Sequence, residues 1–103
     1  MTEEIGIMEV RIDGMDCITG TELQRIIDTV SGDWDYEAWY FDGGMDRIEF
    51  PSCKSGDAVE MAETLERDLP DELRARACLS VRWWTYDEHD EGLEARVNWE
   101  AGR

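Results

Sequence analysis

Positive charge is scarce in this sequence. Ten lysines and arginines stand against 26 aspartates and glutamates, for a formal net charge of −16. Such a surface excludes binding to nucleic acid or anionic membranes through general electrostatic attraction. Long apolar runs are also missing, which excludes a membrane-spanning helix. The opening Met-Thr-Glu-Glu has neither the basic start nor the apolar stretch of a secretory signal. The three cysteines, Cys17, Cys53 and Cys78, are widely spaced and form no Cys-x-x-Cys pair. With no export signal they read as reduced thiols of a cytoplasmic protein. Three thiols and the single histidine, His89, give no closed zinc shell by spacing. Asp42-Gly43-Gly44-Met45 lacks the spacing and the lysine of a phosphate loop, and neither Gly-x-Ser-x-Gly nor His-Glu-x-x-His occurs. His89 lies among Asp87, Glu88, Asp90 and Glu91, where neighbours on one short turn do not converge on a cation. No residue is therefore expected to be catalytic, and no metal or other cofactor is expected. The chain reads as a binding protein, not an enzyme.

What is present is enough to build a core. The 103 residues suit one domain, 1–103. With 42% hydrophobic and 10% aromatic residues, the chain is unlike a disordered acidic tail. In 5–13, Met8, Val10 and Ile12 alternate with Glu9, Arg11 and Asp13, the period of a half-buried strand. Ile5 and Ile7 are out of phase with that set, which predicts a bulge near residue 7. In 21–31, Leu23, Ile26, Ile27 and Val30 form one helical stripe, opened by a capping box of Thr19 with Glu22 or Thr21 with Gln24. Gly32 suits the position after the helix.

Residues 34–41 and 47–53 read as a hairpin closed by Asp42-Gly43-Gly44, with Pro51 ending the regular ladder. A second helix is predicted over 57–68, with Ala58, Met61, Ala62 and Leu65 inward, Ser55 or Asp57 at its start and Pro70 as its stop. Leu73, Ala75, Ala77, Leu79, Val81 and Trp83 then predict a long strand over 73–86. A turn at 87–92 leads to a last strand in which Leu93, Ala95, Val97 and Trp99 alternate with polar residues. The order β-α-β-β-α-β-β predicts an α+β fold, a ferredoxin-like split βαβ sandwich with an added C-terminal strand and two helices on one face of an antiparallel sheet.

The segment Val10-Arg11-Ile12-Asp13-Gly14-Met15-Asp16-Cys17 resembles the heavy-metal-associated domain family. That resemblance rests on Gly14, Met15 and Cys17 after a first strand, and it implies a βαββαβ fold. The family's second metal cysteine would fall at position 20, which is Gly20. A single thiolate holds a soft ion such as Cu(I) poorly, so the resemblance supports the fold more than a metal-carrying role for Cys17.

The one large functional signal is acidity. On the second helix Asp57, Glu60, Glu63 and Glu66 recur every three residues, a spacing that puts neighbouring Cβ atoms about 5–6 Å apart, close to that of successive phosphates. Further acids crowd the turns around Asp42 and Asp87. Trp34, Tyr36, Trp83 and Trp99 share faces with aliphatic residues and are expected in the core. Trp84 and Tyr86 fall on the opposite face of their strand with Arg74, Arg76 and Arg82, with Trp39 and Phe41 as possible neighbours. Trp, Tyr and Arg are favoured where proteins meet, so this face is read as a protein-binding patch, with a homodimer contact or a covering terminal segment as the competing readings. The expected function is inhibition: an acidic protein that imitates nucleic-acid charge and occupies the basic surface of a nucleic-acid-handling partner, in the manner of anti-defence or nuclease-immunity proteins. Direct contact with nucleic acid or membrane is not expected. A salt-adapted regulatory or housekeeping domain is the alternative, favoured by nine arginines to one lysine, Lys54. A soft-metal carrier acting through Cys17 is a third.

Overall fold

The computed structural model of the chain describes residues 4–31 and 47–101, together with the backbone of 39–40. Strand β1 (Gly6–Ile12) runs through the middle of a five-stranded antiparallel sheet. It pairs with β3 (Arg47–Cys53) on one side and β4 (Leu79–Thr85) on the other. The short β2 (Trp39–Tyr40) lies outside β3, and β5 (Val97–Glu100) outside β4, giving the order β2-β3-β1-β4-β5. Helices α1 (Gly20–Ser31) and α2 (Ser55–Asp68) follow β1 and β3. Their inward residues join one core with Met8, Val10, Ile12, Phe50, Val81 and Trp83. The expected hairpin residues at 34–38 and 41–46, including Trp34, Tyr36, Phe41, Asp42 and the Gly43-Gly44 turn, lie outside the described residues, as does Gly32.

The alternation in β1 behaves as its period requires: Met8, Val10 and Ile12 are fully buried on the helix side. The expected bulge is present, but its extra residue is on β3. Gly6 pairs with Cys53 and Met8 with Phe50, so Pro51 and Ser52 stand opposite Ile7 alone. Proline has no N–H for the ladder, and Ser52 takes a left-handed φ of 61°. The Ser52 N–H is satisfied by donating to the Tyr86 hydroxyl at 2.7 Å. Of the two capping boxes compatible with the sequence, Thr19–Glu22 forms: Glu22 N–H donates to Thr19 Oγ1 at 3.1 Å and Thr19 N–H to Glu22 Oε1 at 3.0 Å.

Three expectations fail between residues 70 and 97. The long strand over 73–86 is shorter, because Asp71–Ala77 is a helix, α3. Leu73 and Ala77 are buried and Ala75 is exposed, which is the i, i+4 period of a helix and not the alternation of a strand. Asp71 and Glu72 sit in its first turn, Arg74 and Arg76 in its last, the arrangement the helix dipole favours. Cys78, at φ 49°, turns the chain out of α3 into β4. The turn expected at 87–92 begins instead as a one-turn helix, α4 (Tyr86–Asp90). Thr85 and Glu88 cap it reciprocally, Glu88 N–H to Thr85 Oγ1 at 3.3 Å and Thr85 N–H to Glu88 Oε1 at 3.2 Å. Finally, Leu93 and Ala95 do not enter the last strand. Glu91 and Leu93 donate their N–H groups back to Asp87 and Glu88 carbonyls, so that backbone is committed to closing α4, and Leu93 is left 50% exposed.

Candidate interaction surface

The acid row on α2 is geometrically less simple than its spacing. Three residues of helix turn through about 300°, so each step of the row shifts about 60° around the axis and the whole row winds over roughly half the circumference. Its two ends are occupied within the chain. Asp57 accepts the Lys54 N–H at 2.8 Å; Lys54 is the N-cap, so α2 begins at Ser55, two residues before the expected start, with Asp57 as its third residue. Glu66 accepts the Trp99 indole N–H at 2.7 Å and so ties α2 to β5. The middle pair, Glu60 and Glu63, points to solvent beside Arg67. That guanidinium is itself paired with Asp68 at 3.0 Å, and the Asp68 hydrogen bonds raise its pKa.

The arginines that a strand over 73–86 would put beside Trp84 are elsewhere, because α3 is helical. Arg74 turns back on the end of α2, donating to the Leu65 carbonyl at 3.2 Å and the Leu69 carbonyl at 2.8 Å as well as that of Glu66, and pairs with Asp71. Arg76 pairs with Glu22, Nη1 to Oε1 at 3.0 Å, and also donates to the Cys17 carbonyl at 3.2 Å. The Arg76 hydrogen bonds, with help from the Thr19 N–H, hold the Glu22 carboxyl at about 2. Tyr86 opens α4 and supports the β3 bulge. Only Arg82 remains beside Trp84 on the sheet face away from the helices.

That face is a mixed, ion-paired surface. Across the strands Trp39, Glu49, Glu9, Arg82 and Asn98 fall in register. Glu9 and Glu49 are both buried, and Arg47 approaches Glu9 at 3.5 Å. Trp84 is fixed at the edge of this face. Its indole N–H donates to the Leu93 carbonyl at 2.8 Å, and His89 packs edge-on at a centroid distance of 5.2 Å. Trp84, Leu93 and Ala95 wall a groove of ≈ 400 Å³ with Arg82, Glu94 and Asn98. Asp87 is exposed on α4, with Asp90 and Glu91 following. Of the aromatic residues expected in the core, Trp83 is buried and donates its indole N–H to the Cys53 carbonyl at 2.9 Å, and Trp99 packs against the core partly buried.

Cys17 and Cys78 are exposed and Cys53 is buried, all as free thiols. Burial pushes the Cys53 thiol up to about 12, with the Asp57 charge adding to it. Gly14, which carries part of the metal-family resemblance, has a packing role: its N–H donates to the Ala77 carbonyl at 2.8 Å, and a Cβ there would overlap the Arg76 carbonyl. Position 20 opens α1, and among the described residues no three His, Cys, Asp or Glu side chains are grouped to hold a metal ion. Among those residues no helix is long and apolar enough to cross a membrane. No family model, curated protein or solved structure matches the chain.

The residues that sequence reasoning missed are those that assemble β5 and its flanks: Leu93, Asn98 and Glu94 around Trp84, and Glu66 joined to Trp99. The signal for the first group was Thr85-x-x-Glu88, a capping box that removes Leu93 from the strand. Nothing in the sequence pairs Glu66 with Trp99.

Proposed function

We propose that the protein is a small acidic inhibitor that docks on the basic surface of a nucleic-acid-handling protein in place of nucleic acid. The supporting observation is how its own charges are paired. Arg11, Arg47 and all five arginines from Arg67 to Arg96 hold carboxylates of the same chain. Glu60, Glu63, Asp87, Asp90, Glu91 and Glu94 have no ion-pair partner among the described residues and face solvent. The charge offered outward is therefore mainly negative. Part of it is borne by a helix whose backbone orders the carboxylates, so little entropy is lost on docking. Long-range attraction to a basic groove would speed the encounter. The partner is a protein; contact with nucleic acid or membrane forms no part of this reading. Three free thiols are consistent with the cytoplasm as its compartment.

The scaffold of this reading is a ferredoxin-like split βαβ sandwich with β5 added at one edge. The antiparallel order β2-β3-β1-β4, with helices after β1 and β3, supports it. A salt-adapted domain remains the competing reading, and Lys54 as the sole lysine favours it. Capture of partners from the native host at low and high salt separates the two. The inhibitor reading expects a nucleic-acid-binding protein, released both by salt and by added duplex DNA. A captured partner held equally well at high salt and indifferent to DNA would exclude it.

A further inference from the structure

We propose that Cys78 is a site of mixed-disulfide formation with a small peptidyl thiol that carries a carboxylate, the class to which glutathione belongs, and that Ser80 and Arg82 hold the adduct. The Ser80 hydroxyl is the observation that carries this. Ser80 is 4% exposed, and its Oγ has no hydrogen-bond partner among the described residues. An enclosed hydroxyl left unpaired costs free energy that a ligand atom can recover. Leu79 and Val81 are buried in the core, so Ser80 between them projects to the other face of β4. There it borders a cavity of ≈ 220 Å³ that Cys78, Arg82, Asp13 and Glu100 also line.

Two more groups in this cavity are loosely held. The Cys78 thiol is free and exposed, and its S–H donates to the Ala75 carbonyl at 3.5 Å, which leaves the sulfur lone pairs unused. The Arg82 guanidinium meets Asn98 Oδ1 at 3.4 Å and Glu100 at 3.6 Å, contacts long enough for a closer acceptor to displace them. Asp13 is instead held by Arg11 at 2.8 Å. The groups open to a ligand are therefore a nucleophilic sulfur and two hydrogen-bond donors, which suits a disulfide bearing a carboxylate. Ser80 lies two residues from Cys78, about 7 Å along an extended chain, and a two-residue peptidyl arm beyond a new disulfide spans the same distance. Its carboxylate then accepts from Ser80, with Arg82 closing from two residues further on. In the exchange the Cys78 thiolate attacks one sulfur of the oxidised peptidyl thiol. A Cys78–sulfur bond forms, the original disulfide breaks, and the departing thiolate takes up the proton that Cys78 gave.

Cys17, the other exposed thiol, lies outside this cavity and serves as the internal control. The full chain is equilibrated with mixtures of reduced and oxidised glutathione, quenched with acid, and the adduct at each cysteine is read by peptide mass mapping. The equilibrium constant for the adduct should be about tenfold or more larger at Cys78 than at Cys17. Ser80→Ala removes a hydroxyl that makes no bond within the chain, so it should melt at or above the wild-type temperature. That variant and Arg82→Gln should each reduce the Cys78 preference by about threefold or more. Ser80→Ala changes no charge, so its effect separates contact with the adduct from the field of the protein. Hydroxyethyl disulfide, which forms the same bond but carries no carboxylate, should show no preference between the two cysteines. Equal adducts at Cys17 and Cys78 with glutathione, or a preference that either variant leaves unchanged, would overturn the proposal. The same preference with hydroxyethyl disulfide would overturn it in favour of exposure alone. A Cys17–Cys78 disulfide as the main product would overturn it in favour of an internal redox pair.

Discussion

Replacing Gly14 with alanine isolates the tightest backbone approach among the described glycines outside the strands. The φ of Gly14 is −97°, open to any residue, so the cost is steric. A Cβ there overlaps the Arg76 carbonyl and lies 2.9 Å from the Ala77 carbonyl carbon. Both are backbone atoms, so no side-chain rotation relieves the clash. The turn at Met15–Cys17 must move off the end of α3, which stretches the 2.8 Å bond from Gly14 N–H to the Ala77 carbonyl. Overpacking costs about 1–3 kcal/mol and a weakened hydrogen bond about 1 kcal/mol, so Gly14→Ala should destabilise by about 2–4 kcal/mol. For a chain of this size that lowers the melting temperature by roughly 10–30 °C. Gly56→Ala is the control: nothing lies within 4 Å of its Cβ on α2, and alanine there should stabilise by up to about 1 kcal/mol. Thermal melts by circular dichroism read both. A Gly14→Ala protein melting within about 2 °C of the wild type would refute the packing argument and reopen Gly14 as part of a ligand loop.

Acid should loosen the link between α1 and α3. The Glu22 carboxyl is depressed to about 2 in the fold, so its stabilisation is complete above the ordinary carboxylate range and is lost as pH falls through it toward 2. The stability gap between wild type and Glu22→Gln, measured by urea titration, should therefore narrow over that window; a constant gap would contradict the pairing with Arg76. Thiol titration of the native protein should show Cys17 and Cys78 reacting quickly and Cys53 only on unfolding, and a fast third equivalent would contradict its burial. In about 0.1 M salt the protein should be folded; a chain that folds only near molar salt would favour salt adaptation over docking.

Much of the frame was legible because the periods were long and clean. Met8, Val10 and Ile12 on β1, Ile26 and Val30 on α1 and the stripe from Ala58 to Leu65 are buried as their spacing selects, with Leu23 and Ile27 of α1 partly buried against them. The segment from Leu73 was ambiguous because Leu73 and Ala77 fit both an alternating and an i, i+4 pattern. Ala75, small enough for either setting, does not discriminate by size, and the signals that do are the charges, Asp71 and Glu72 at the start and Arg74 and Arg76 at the end of the segment. The candidate surface was less legible still. Composition displays the acids, but which of them face outward depends on partners distant in sequence, such as Glu66 with Trp99 and Glu22 with Arg76. Trp84 is legible as an aromatic on the strand face opposite the core, whereas its groove is not, because alternation places Leu93 in the last strand.

Competition on a captured basic partner tests the central claim most directly. Labelled duplex DNA is bound to that partner, and its displacement is followed with wild type and with Glu60→Arg/Glu63→Arg. Neither residue lies on the buried stripe of α2, so the variant should fold normally. The account predicts that wild type displaces the DNA, that the reversed variant displaces it more weakly through slower association, and that the difference shrinks as salt rises. Displacement by the variant equal to that of the wild type at low salt, or partner and DNA bound together without competition, would contradict it.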